Sequence, residues 1–381
     1  MIALDVHVIG ERETGNETYT LNLARNLLAA APDTRFGLFT PHPERLPADL
    51  AHAANAEVIA VRPGNSLARV PFSLPFQVWR RRAELLHVNY VLPPVCPCQG
   101  VVTVHDLSYD LFPEDAPPRD RLVLGPLLPL SLRHAAAVIA VSQNTQRDLL
   151  RRFPDVADRV TVIYEACPDG MRQVNDVAQL DQVRQVYGLR HPYILAVGNL
   201  QPRKNLVRLV EAFAMLRADG PARQLVVVGQ GRWRQSDVMS TVRRLGLQEE
   251  VIFTGFVPAE DLPALYSAAA VFAYPSLYEG FGLPLLEAMT CGTPVVASKS
   301  SSMPEVAGDA ALLVDPRDVG ALAAALGSVL SRPDLAVELR GRSRARASEF
   351  TWEKAARATL ALYERVLAKQ RTPALNHKTN A

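Results

Sequence analysis

Apolar positions along the chain fall into short runs separated by longer stretches with helical spacing. Runs rich in Val, Ile, Leu and Phe predict strands at 2–8, 36–39, 58–61, 85–88, 101–104, 138–141 and 160–163. After a polar stretch at 174–185 the alternation restarts, with strands predicted at 193–197, 225–228, 251–253, 271–273, 295–297 and 312–314. Amphipathic patterns fill the gaps, for example at 18–28, 206–216 and 263–269. Strands alternating with helices predict parallel sheets covered on both faces. Two such series predict an α/β chain of two doubly wound, Rossmann-like domains facing a central cleft, with ligands at the carboxyl ends of the strands. The expected division is a first domain at 1–185, a second at 186–348, a helix at 349–369 crossing back to the first domain, and a disordered tail at 370–381.

Composition narrows the functions. A length of 381 residues suits two domains. A net charge of +2 gives no case for nucleic acid as a partner. The cysteines Cys96, Cys98, Cys167 and Cys291 form no CxxC pair, so no metal site is expected and a reducing compartment fits best. Met1 leads directly into a predicted strand with no basic flank, which argues against a signal peptide. No apolar run reaches the ~18–20 residues that span a bilayer; the longest, at 122–132, contains Pro126 and Pro129. A cytoplasmic protein is expected, with one candidate for peripheral contact at the inner membrane face. That candidate is 69–82, which mixes the aromatics Phe72, Phe76 and Trp79 with a basic cluster at Arg80, Arg81 and Arg82. The same pattern also fits a helix that packs its aromatics on the core and turns its arginines to solvent.

Candidate chemistry is concentrated in the second series. Tyr278-Glu279-Gly280-Phe281-Gly282-Leu283-Pro284 follows a predicted buried strand, and Pro284 fits the first turn of a helix. Gly280 and Gly282 let the backbone approach a ligand, and free N–H groups at 281–283 would bind an anion such as phosphate. Glu279 precedes this helix start and Glu287 lies one turn into it. Carboxylates beside an anion site suit a ligand carrying both phosphate and hydroxyl groups. A second loop, Gly198-Asn199-Leu200-Gln201-Pro202-Arg203-Lys204-Asn205, also follows a strand. Two adjacent cations ahead of a helix, where the dipole disfavours them, call for an anion, and a diphosphate fits. Gly229-Gln230-Gly231 is a third, weaker element that matches neither GxGxxG nor a Walker loop.

Together these elements resemble family four of the glycosyltransferases, the large retaining family with the GT-B fold. The resemblance is strongest over 193–316 and includes Thr254-Gly255-Phe256-Val257-Pro258, Tyr274-Pro275-Ser276 and Thr290-Cys291-Gly292-Thr293-Pro294. The Glu279 and Glu287 pair matches the family's paired-glutamate motif. The resemblance implies that Glu287 holds the ribose, and that Glu279 contacts donor-sugar hydroxyls. It further implies that Gly280, Phe281, Gly282 and Leu283 hold the sugar and distal phosphate. Arg203 and Lys204 would neutralise the leaving diphosphate, Asn199 would lie among the donor contacts, and the backbone at Val257 would read the base. The first series matches more loosely. Thr14-Gly15-Asn16-Glu17 is similar to the family's glycine loop, with its second glycine replaced, and Gly15 would face the diphosphate. Val104-His105-Asp106 resembles the loop whose histidine lies near the reacting sugar. Ser142, after the strand at 138–141, reads mainly as a helix cap.

The implied reaction is transfer of a sugar from a nucleoside-diphosphate sugar to a hydroxyl of a glycan or lipid-linked acceptor. Arg203 and Lys204 stabilise the departing charge, with His105 and Glu279 also at the reacting sugar. No cofactor is expected beyond the nucleotide-sugar co-substrate, and no metal, because cations of the chain take its place. The Pro202-Arg203-Lys204-Asn205 variant resembles that of family members making bacterial surface polysaccharide, often mannosyltransferases, and this resemblance implies GDP-mannose as donor and surface polysaccharide or glycolipid synthesis as the setting. Competing readings are a sugar-nucleotide epimerase on the same fold and a non-catalytic sugar-nucleotide-binding protein.

Overall fold

The strands are short, largely apolar on both faces and paired in parallel, as sheets covered by helices on each side require. A computed structural model describes residues 1–11, 14–114, 118–190, 192–219, 224–229 and 235–371. The chain divides into two units, Met1–Glu165 with the segment from Thr351, and Ala166–Phe350.

In the first unit the strands are β1 (Ile2–Asp5), β2 (Phe36–Thr40), β3 (Ala56–Ala60), β4 (Leu85–Asn89), β5 (Gln99–Val104), β6 (Ala137–Ala140) and β7 (Val160–Val162). Their order is β3-β2-β1-β4-β5-β6-β7. In the second unit β8 (Tyr193–Val197), β9 (Gln224–Val228), β10 (Val251–Gly255), β11 (Val271–Tyr274), β12 (Val295–Ser298) and β13 (Leu312–Val314) run in the order β10-β9-β8-β11-β12-β13. Each sheet reverses its winding once, between β1 and β4 and between β8 and β11. Such a reversal opens a crevice at the carboxyl ends of the two strands. The loops after β8 and β11 are the two that carry the donor motifs, so topology alone brings them together.

The unit boundary falls at Glu165/Ala166, earlier than the expected 185/186. The physical reason lies in 174–185, which reads as a polar linker but forms the helix Val177–Tyr187. Asp176 caps it, accepting from Ala178 N, and Gly188 ends it in the left-handed region at φ 66°. Tyr187 donates to Asp261 over 2.6 Å, which ties this helix to the second unit. At the other end, the helix Trp352–Arg371 packs along the helix Thr14–Ala30 of the first unit. The helix extends through residues 370 and 371, which the sequence assigned to the tail; 372–381 lie outside the described residues. The helix Pro118–His134 continues through Pro126 and Pro129. Among the described residues no helix is long and apolar enough to cross a membrane.

Candidate active site

Gly198, at the end of β8, adopts φ 145°, and a Cβ on Gly229 would sit 2.1 Å from the Gly198 carbonyl oxygen. Only glycine at 229 allows the two loops to pass this closely. Gln230 and Gly231 of the weaker glycine element lie outside the described residues. Beyond exposed Asn199 the chain forms a tight turn, Pro202–Lys204, which Asn205 closes in the left-handed region at φ 60°. The buried Asn205 amide donates to the Pro275 carbonyl over 3.0 Å and to the Pro316 carbonyl over 2.6 Å. Leu277 N donates to the Arg203 carbonyl over 2.7 Å. The two donor loops are thus joined backbone to backbone, and Arg203 and Lys204 are held one short turn ahead of the helix Leu206–Asp219.

Both cations converge on one carboxylate. Arg203 Nη1 lies 2.9 Å from Glu279 Oε2, and Lys204 Nζ lies 2.5 Å from Glu279 Oε1. Arg203 also donates to the Tyr278 carbonyl over 3.0 Å, and Lys204 donates to the Tyr274 hydroxyl over 3.2 Å. Burial pushes the Glu279 carboxyl up, but Lys204 and then Arg203 outweigh it and hold the group at about 2. Burial, and then the neighbouring Glu279 charge, drive the Tyr274 phenol well above its ordinary value, so it remains a neutral partner. The Glu279 backbone is pinned by serines: its N–H donates to Ser301 Oγ over 3.0 Å, and its carbonyl accepts from Ser302 Oγ over 3.0 Å.

Gly280, Phe281 and Gly282 are buried, and Gly282 caps the helix Leu283–Thr290 at φ 106°, a region that favours glycine. Pro284 has no N–H and sits in the first turn of this helix, where an amide would find no partner within the helix. Glu287 is half-buried one turn further on and accepts from the Tyr266 hydroxyl over 2.7 Å. Burial raises its pKa, against the opposing pull of that hydrogen bond and of Lys204. Val257 is buried beyond the end of β10, beside an exposed Phe256. Sequence reasoning assigned no role to Tyr274, Tyr266, Ser301 or Ser302. The run Ser300-Ser301-Ser302, one residue beyond β12, was the available signal for the serines.

In the first unit His105 follows β5 and is buried. Its Nδ1 lies 2.8 Å from Glu165 Oε1, and its Nε2 lies 3.2 Å from Asn89 Oδ1. The Asn89 amide donates in turn to Thr20 Oγ1 over 2.9 Å. Tyr19 meets the imidazole edge-on at 4.6 Å between ring centres. Glu165 had no role in the sequence reading. Gly15 lies in the first turn of the helix Thr14–Ala30, exposed, with open space where a Cβ would project. Ser142 is a helix cap as read, accepting from Thr145 N over 3.0 Å.

The segment 66–80 is helical, and its aromatics do not pack on the core. Phe72, Phe76 and Trp79 are 71%, 54% and 66% exposed, which rules out the core-packed alternative. Arg80, Arg81 and Arg82 are exposed beside them. Arg69 is the exception: it is buried and donates to both oxygens of Asp5, at 2.8 and 2.7 Å. That pair anchors the segment to the end of β1.

Residues 181–347 match the family described as Glycosyl transferases group 1, and residues 14–167 match Glycosyltransferase Family 4. The O-antigen chain mannosyltransferase B of Escherichia coli is 37% identical over 279 residues, 72% of this chain and 72% of that protein. A GDP-mannose-dependent alpha-(1-6)-phosphatidylinositol monomannoside mannosyltransferase of Mycolicibacterium smegmatis is 32% identical over 269 residues, 60% of this chain and 69% of that protein. Among solved structures, a sucrose-phosphate synthase from Thermosynechococcus elongatus matches with a TM-score of 0.77 and 26% identity, covering 97% of this chain and 99% of the other. With its two parallel-sheet units and its paired glutamates, the chain belongs to glycosyltransferase family 4, is a glycosyltransferase and has the GT-B fold.

Proposed function

We propose that this enzyme transfers mannose from GDP-mannose, with retention of anomeric configuration and without a metal ion, to a hydroxyl of a glycan or lipid-linked acceptor in bacterial surface polysaccharide or glycolipid synthesis. The observation that carries the reading is the convergence of Arg203 and Lys204 beside the glycine-capped helix start at Gly282. Two half-buried cations and a helix N-terminus suit a diphosphate. The names of the mannosyltransferase relatives support the choice of sugar, and the M. smegmatis relative supports the choice of base.

In this reading Glu287 accepts from the ribose hydroxyls and Glu279 from hydroxyls of the donor sugar. The Gly280–Leu283 backbone holds the sugar and distal phosphate, Val257 and Asn199 border the nucleoside, and Gly15 and His105 keep the roles that the family resemblance implies. The bond between the anomeric carbon and the bridging phosphate oxygen breaks as a bond to the acceptor oxygen forms on the same face. The acceptor proton passes to the departing phosphate, and Arg203 and Lys204 stabilise the charge that develops there. The aromatic and arginine surface at 66–82 supports peripheral contact with an anionic membrane face, where a lipid-linked acceptor would be presented.

A donor screen with GDP-, UDP- and ADP-sugars tests the reading, followed by NMR of the product's anomeric proton. Turnover with GDP-mannose and an α-linked product are expected. An inverted product rules out the proposed mechanism, and turnover only with another donor rules out the proposed sugar.

A further inference from the structure

Arg203 and Lys204 are the groups the proposed function assigns to the donor diphosphate, yet each already contacts a carboxylate oxygen of Glu279. We infer that Glu279 is the built-in counterion of the diphosphate site, so that its carboxylate and the diphosphate compete for the same two cations and donor binding turns Glu279 away from them. This inference rests on the donor-site reading and extends it to how the site is gated.

The geometry confines the motion to the side chain. Ser301 and Ser302 hold the backbone at Glu279 through its N–H and its carbonyl, and Ser302 Oγ also donates to the Phe281 carbonyl over 2.8 Å. The loop therefore stays in place while the carboxylate rotates. Ser276 is buried beside the same carboxylate and offers it a hydroxyl donor once the cations are taken. The lysine end is equally fixed, because Lys204 Nζ lies 5.2 Å from the centre of the Tyr274 ring as well as against its hydroxyl. Charge drives the exchange. A carboxylate left between the cations would face the diphosphate at close range in a half-buried site, where like charges repel strongly. Once displaced, the carboxylate is free to accept from sugar hydroxyls, which couples the arrival of the diphosphate to the forming of the sugar contact.

The test is calorimetric binding of GDP, inorganic pyrophosphate and guanosine to the full chain and to Glu279→Gln. Competition predicts that Glu279→Gln binds GDP and pyrophosphate about tenfold more tightly or better, with no gain for guanosine. Glu279→Asp keeps the charge on a shorter arm that cannot reach both cations, so it should gain an intermediate factor; it also serves if Glu279→Gln does not fold. A carboxylate that only holds sugar hydroxyls would leave GDP affinity unchanged in both variants, and that result overturns the inference while the donor site stands. Failure of every protein, wild type included, to bind GDP or pyrophosphate overturns the donor-site reading and the inference with it.

Discussion

Tyr266 holds Glu287 in place, its hydroxyl donating to the carboxylate over 2.7 Å from the helix Leu262–Ala268. The phenol is fully buried and, through burial and then the Glu287 charge, pushed well above its ordinary pKa, so it donates throughout the physiological range. Tyr266→Phe removes that single hydrogen bond and keeps the packing against Phe272, whose ring centre lies 5.4 Å away. A hydrogen bond to a charged group is worth ~1.5–3 kcal/mol. If Glu287 positions the ribose, the donor KM should rise roughly tenfold with little change in kcat. Steady-state kinetics at varied donor concentration provide the check, and an unchanged KM refutes the positioning role.

The donor loops were legible because their function demands local oddities: cations ahead of a helix, glycines where the backbone turns left-handed, a proline at a first helical turn. Each marks one residue of the chain. Partners supplied from elsewhere were not legible. Tyr266 comes to Glu287 because the helices Leu262–Ala268 and Leu283–Thr290 pack together, and Ser301 comes to Glu279 because β11 and β12 pair in the sheet. Glu165 reaches His105 across 60 residues because β5, β6 and β7 pair side by side in the first unit's sheet. The helix Val177–Tyr187 was misread because its polar surface hides a narrow buried stripe around Val183. Strand register and the packing of helices on the sheets set these meetings, and no single segment encodes either.

Lys204→Ala should lower turnover by about 10²–10³, the usual loss when one preorganised charge-stabilising donor is removed. The effect on stability should be smaller, because Glu279 keeps Arg203 at 2.9 Å as its counterion. Turnover under saturating donor, paired with a thermal melt, separates the two. A near-wild-type rate would remove Lys204 from the reaction.

Membrane contact has its own test. The exposed Phe72, Phe76 and Trp79 sit beside Arg80, Arg81 and Arg82, and on an anionic surface they would combine apolar insertion with attraction of ~1 kcal/mol per basic residue. Vesicles containing phosphatidylglycerol should carry the protein upward in a flotation gradient, and neutral phosphatidylcholine vesicles should not. Trp79→Ser together with Phe72→Ser should leave it at the bottom. Equal flotation of the double variant would assign binding to another surface.

Buried His87 is expected to contribute to the acid limb of stability in the first unit. His87 Nδ1 lies 2.5 Å from the Tyr363 hydroxyl, its Nε2 lies 2.7 Å from Thr103 Oγ1, and Thr103 in turn meets the Tyr19 hydroxyl at 2.9 Å. This chain of hydrogen bonds stitches the helix Trp352–Arg371 to the sheet. Burial, aided by nearby His105, lowers the imidazole to about 3. The unfolded chain would protonate it near ~6.5. Between those values the unfolded state binds the extra proton, so stability is full above about pH 6.5 and falls as the pH drops toward 3, by at most ~1.4 kcal/mol per pH unit. His87→Gln keeps a polar group in the network but carries no titrating proton. Its melting temperature should start lower at pH 7.5 and decline less steeply than wild type from there to pH 4.5. Parallel declines in the two proteins would show that another group governs the acid limb.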